Sequence, residues 1–93
     1  MKLILKDKTE IVISNVNVSY NDTVDMDERN SILLTINNPE VEVVDLAKAL
    51  TADNLSSVQI ESNVKTVSKE NLKLSTISEV LTDDTHAINI RLH

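Results

Sequence analysis

The sequence predicts an α+β domain, mainly antiparallel β-sheet of about six strands with one short helix near residues 43–50. Three observations predict it. Val, Ile and Thr recur in short blocks, and β-branched side chains suit half-buried pleated surfaces. Several of these blocks alternate apolar and polar residues with the period of a strand. One stretch instead places Val43, Leu46, Ala47 and Leu50 at i, i+3, i+4 and i+7, a single helical face. With 93 residues, 41% of them hydrophobic and 26% charged, the chain reads as one domain spanning 1–93. No low-complexity segment, dividing linker or convincing internal repeat interrupts it.

The elements follow in order. Lys2 to Leu5 and Glu10 to Ser14 read as a first hairpin around Lys6-Asp7-Lys8-Thr9. Its second arm can continue through Val16, Val18 and Tyr20, which alternate with Asn17 and Ser19. The apolar parity slips by one residue at Ser14-Asn15, where a β-bulge or a short turn restores the inward face. Asn21 to Asn30 is polar and acidic and reads as a loop. Ser31 to Asn37 is a strand with Ile32, Leu34 and Ile36 on one face, ended by Asn37-Asn38-Pro39. Asn38 can cap a helix with Pro39 at its first position. Glu40, Glu42 and Asp45 then lie near the positive end of the helix dipole. Because Glu40-Val41-Glu42-Val43 also alternates like a strand, the helix is placed at Val43 to Leu50.

Thr51-Ala52-Asp53-Asn54 reads as a further capped turn. Ser57 to Glu61 follows as a strand with Val58 and Ile60 on one side, and Ser62-Asn63 as a turn. Val64 to Val67, Asn71 to Ile77 and Ala87 to Leu92 complete the strands, with Thr82-Asp83-Asp84-Thr85 as the last turn. The two ends of the chain, Lys2 to Leu5 and Ala87 to Leu92, are the expected sheet edges, guarded by Lys2, Lys6 and Arg91. The more apolar Ile32 to Ile36 run is expected to lie inside its sheet.

Composition excludes whole classes of chemistry. With no cysteine there is no disulfide, thiolate metal site or cysteine nucleophile. With no glycine there is no phosphate-cradling loop and no standard EF-hand loop. A net charge of -6 opposes direct binding to nucleic acid and to anionic membranes. Tyr20, the one aromatic, provides no series of stacking platforms. No apolar run approaches the roughly 18 residues of a spanning helix. The apolar run at Leu3-Ile4-Leu5 is too short for a secretory signal and reads as an ordinary first strand.

Asp22, Asp25, Asp27 and Glu28 form the densest acidic cluster, but a calcium loop's remaining ligands and turn are missing. The cluster reads as a solvated or partner-facing loop. His86 shares strand parity with Ile88, Ile90 and Leu92, so it belongs at the margin of the core. Asp83 and Asp84 beside it make a His/Asp metal site conceivable, though a structural or exposed histidine is favoured. His93 is over ~20 Å along the same strand, too far to share an ion. No nucleophile elbow surrounds Ser56, Ser57, Ser68 or Thr85. The expectation is therefore no enzyme activity, no catalytic, cofactor-binding or metal residues, and no cofactor.

Lys2-Leu3-Ile4-Leu5-Lys6-Asp7-Lys8-Thr9-Glu10-Ile11 resembles the opening of small structural-module proteins from phages and prophages of Gram-positive bacteria. Leu50-Thr51-Ala52-Asp53-Asn54-Leu55-Ser56-Ser57-Val58-Gln59-Ile60 resembles their central helix-to-strand junction. Together the matched positions cover about a fifth of the chain. The sequence departs from that pattern at Lys8, where the set often has glycine, and in a helix without an aromatic. The resemblance implies a virion-associated tail or neck accessory protein acting through protein–protein contacts, with other virion proteins or a second copy as partner. It implies the bacterial cytoplasm during assembly and then the virion, and it carries over no catalytic residue. A different reading of the charge is an acidic inhibitor that occupies a basic, nucleic-acid-binding surface of a host protein.

Overall fold

A computed structural model describes residues 1–19 and 31–93 of the chain. In order they form β1 (Lys2–Ile4), β2 (Glu10–Val12), β3 (Asn15–Ser19), β4 (Ser31–Asn37), α1 (Val43–Ala49), β5 (Ser57–Glu61), β6 (Thr66–Glu70), β7 (Leu74–Leu81) and β8 (His86–Leu92). A 3-10 turn at Asn54–Ser56 joins α1 to β5. The strands make two four-stranded antiparallel sheets, ordered β2-β1-β5-β6 and β3-β4-β8-β7. The architecture is the mainly antiparallel α+β class read from the sequence, with eight described strands in place of about six.

Part of the difference lies at Ser14-Asn15. The parity slip there is neither a bulge nor a hairpin turn: the chain changes sheets. Ile13 donates its N–H to Met1 C=O in the first sheet at 2.9 Å, and Ser14 donates to Thr35 C=O in the second at 2.8 Å. The two sheets share one core, so the residue that slips parity brings the next apolar residue back to the inside from the opposite side. Further along, the expected strands Val64 to Val67 and Asn71 to Ile77 shift to β6 and β7. Asn71 and Leu72 serve as the joint between them, each donating a backbone N–H back to the Asn54–Ser56 turn.

Leu3, Ile11, Val58 and Ile60 face inward from the first sheet, and Ile32, Leu34, Ile36, Ile88, Ile90 and Leu92 from the second. Leu46, Leu50, Leu55 and Leu72 complete the same cluster from α1 and the connections. Among the described residues no polar or charged side chain is buried. In α1 the face read from the sequence is corrected at one position. Val43 is half-buried and Leu46 and Leu50 are buried, but Ala47 is exposed and Ala49 packs in its place. A helix of only seven residues needs no full i+4 stripe, because its ends already lean on the core. Asn38 does not cap it. The N-cap is Glu42, without a side-chain bond, and Asn38 has φ 50 and donates its N–H to His86 C=O.

The topology also repeats where the sequence does not. Each half of the chain supplies a hairpin to the first sheet and then one to the second: β1-β2 and β3-β4, later β5-β6 and β7-β8. The halves meet along β1 against β5 and β4 against β8, both antiparallel. The strand order is therefore symmetric in each sheet, with one half of the chain on either side of the β1–β5 and β4–β8 seams. It corrects the expected edges. β1 and β8 are interior strands, like β4, and the edges are β2, β6, β3 and β7. A chain end is not a sheet edge here because the second half docks on β1 and β4 from the inside.

In this glycine-free chain the left-handed backbone positions among the described residues fall on Lys8 (φ 74), Asn38 and Asn71 (φ 57). Asparagine tolerates this region, whereas lysine is strained there. The first hairpin turns through Lys6-Asp7-Lys8, with Lys8 donating to Leu5 C=O and Leu5 to Thr9 C=O, both at 2.9 Å. Glycine is usual at the last position of such a loop. Lys8→Gly is expected to raise stability by about 0.5–1 kcal/mol, the relieved strain outweighing the added freedom of the unfolded chain. A lower denaturant midpoint than wild type contradicts this.

Candidate functional site

The sequence singled out His86, and strand pairing determines its partner. β7 and β8 are adjacent, with Leu81 opposite His86 and Glu79 opposite Ile88. The His86 and Glu79 side chains therefore stand diagonally on one face, and Nε2 lies 2.8 Å from the Glu79 carboxylate. Both are partly open to solvent, at 35% and 41%. The partner is Glu79 and not Asp83 or Asp84, which sit in the turn beyond it. That turn is closed by Thr82 and Thr85, whose N–H groups bond within it. Among the described residues no three His, Asp or Glu side chains gather as metal ligands. His93 lies at the far end of β8, its backbone paired with Lys73.

The hydroxyls read as turn and surface residues occupy such places. Ser56 Oγ donates to Asp53 C=O at 2.6 Å, and Ser62 Oγ to Lys65 C=O at 2.9 Å. Ser57 and Ser68 are exposed on β5 and β6. None of these meets His86. Tyr20 and the Asp22, Asp25, Asp27 and Glu28 cluster lie outside the described residues.

Asp7 closes the first hairpin to the rest of the molecule. Its carboxylate accepts the Thr9 N–H at 2.9 Å and the Asn54 side-chain amide at 3.2 Å. Hydrogen bonds from Thr9, chiefly, and from Asn54 hold the carboxyl below its ordinary value. A lowered folded-state value stabilises the fold above the ordinary carboxylate range, and that contribution fades as pH falls through the folded-state value. Asp7→Asn is expected to lower the denaturant midpoint slightly at neutral pH and to match wild type in strong acid. An equal deficit at both pH values refutes the titrating role.

Two hollows flank the segment between β4 and α1. One, of about 400 Å³, is lined by Pro39 to Val44 with Glu79 and His86. The other, of about 370 Å³, runs between β2 and residues 38–41. Core residues Ile11, Ile36 and Leu46 reach it, Val12 and Val41 edge it, and Glu10 and Glu40 supply its charge. Sequence reasoning missed this groove. For the other hollow, the one beside Glu79 and His86, a signal was present: residues 30–47 and 74–90 contain six carboxylates and no lysine or arginine. Pairing of β4 with β8 and packing of α1 beside β7 bring the two stretches together. No family model, curated protein or solved structure matches the chain. Among the described residues no helix is long and apolar enough to cross a membrane.

Proposed function

We propose that this chain is a non-enzymatic structural or assembly protein of a phage or prophage particle, acting through protein–protein contacts. The observation that carries the proposal is the surface of the fold. Among the described residues the candidate serines stand in turns or exposed on strands and His86 pairs with Glu79, while sheet edges and an apolar groove face outward. Sheet edges recruit partners by adding strands. The resemblance of Lys2–Ile11 and Leu50–Ile60 to small phage proteins gives the biological setting. Mass spectrometry of particles purified after prophage induction of the source strain is expected to find the chain. Its absence from particles, with the protein present in the lysate, overturns the proposal.

The grouped carboxylates favour a second reading, the acidic inhibitor of a basic, nucleic-acid-binding surface. Glu40, Glu42 and Glu79 border one hollow, and Asp83 and Asp84 follow Glu79 in the next turn. The two readings separate by salt. Contacts made by backbone pairing survive moderate ionic strength, whereas charge-driven inhibition weakens steeply. A partner whose affinity collapses with salt replaces the assembly reading by the inhibitor.

A further inference from the structure

We propose that the groove beside β2 receives an extended segment of a partner protein, in which apolar residues alternate with lysine or arginine, as an added strand. The inference rests on the protein-contact reading above and names the surface and the occupant.

Strand register shows what β2 offers. Leu3 lies opposite Ile11, and the flanking bonds join Ile13 to Met1 and Leu5 to Thr9. Antiparallel bonding alternates, so Ile11 turns its N–H and C=O toward β1, while Glu10 and Val12 turn theirs to the open side. Among the described residues no backbone group bonds them there. The open side is the 370 Å³ groove. A strand laid along it meets four backbone groups on one flank and places alternate side chains over Ile11, Ile36 and Leu46.

Two of the other edges, β6 and β7, are less available. In β6, Lys69 stands opposite the buried Val58 and so points a charge inward, a device that discourages strand addition. In β7 the register breaks between Leu74 and Thr76, and α1 packs alongside. β3 runs directly into residues outside the described set. The row through Ile11, Leu3 and Ile60 ends on Val67 of β6, so β6 differs from β2 by the inward-facing Lys69 two residues further on.

Charge selects the occupant. Glu10 and Glu40 border the groove, and no lysine or arginine is among its lining residues. Lys2 reaches Glu10 from β1 at 3.7 Å, but the pair is exposed and weak. A second copy carries the same net charge of -6 and is repelled, whereas a basic-apolar strand is complementary.

The test uses the full chain and two synthetic peptides of equal length, one alternating lysine with valine and the other glutamate with valine. The lysine peptide is expected to cause saturable amide shifts centred on Glu10 to Val12 and to slow hydrogen exchange there. The glutamate peptide is expected to bind about tenfold more weakly or worse. Val12→Pro removes an outward N–H and leaves the bonds to β1, so it abolishes binding while the spectrum of the core is retained. Glu40→Lys, exposed and outside the strands, weakens lysine-peptide binding without touching the ladder. Shifts confined to another edge, equal affinity for both peptides, binding unaffected by Val12→Pro, no saturable shift, or protection of β2 by self-association each overturn the inference. A chain found in particles that fails this test overturns the groove alone. A chain absent from particles that passes it overturns only the phage setting.

Discussion

Leu34→Ala is expected to cost about 2–5 kcal/mol, enough to bring a domain of this size close to its unfolding threshold. Leu34 is fully buried and lies opposite Ile90, also fully buried, where β4 meets β8. That contact joins the two halves of the second sheet, and the first sheet packs on it from the other side of the core. Shortening the side chain leaves a cavity between strands that cannot close without shifting the register of β8. Ile90→Ala is expected to cost a similar amount, and the double variant less than the two losses added, because both empty one space. Denaturant titration measures this. A loss below about 1 kcal/mol for either single variant means that the two halves do not meet at this pair.

Leu46→Ala is expected to cost about 2–5 kcal/mol, and Ala47→Ser less than about 0.5 kcal/mol. α1 has seven residues and no side-chain bond at its N-cap, so it is not stable on its own. Leu46 is the buried residue of the helix and reaches the groove beside β2 from within. A loss below about 0.5 kcal/mol for Leu46→Ala means that the helix face is wrongly assigned. The contrast with Ala47 tests the correction made to that face.

Local patterns carried the sequence reading as far as single elements. Ser57–Glu61 was legible because Val58 and Ile60 alternate with polar neighbours, and the turn at Thr82 to Thr85 because its threonines and aspartates cannot fill a core. The inward set of β8, including the marginal place of His86, followed from parity alone. The first hairpin was legible, but which hairpins lie side by side was not, because β1 pairs with β5 and β4 with β8 through side chains no different from those of any apolar strand. The groove was hidden for the same reason, because residues 10–14 meet residues 36–46 only in the fold. The partner of His86 lies only seven residues away, but the strand read from the sequence stopped at Ile77, short of Glu79. Val41 illustrates the limit: alternation marked its segment as strand or helix start, whereas the fold leaves it exposed at the edge of a hollow.

The division of each sheet between the two halves has a consequence for synthesis. The four hairpins are local, but Leu3 meets Ile60 and Leu34 meets Ile90, each more than half the chain away. A nascent chain emerging from the ribosome displays β1 and β4 as bare flanks until β5 and β8 arrive. Non-local pairing of this kind slows folding and leaves sticky intermediates exposed. The lysines of the first hairpin and the acidic stretch after β4 are then the chain's early solubilising groups, present before the strands they will neighbour.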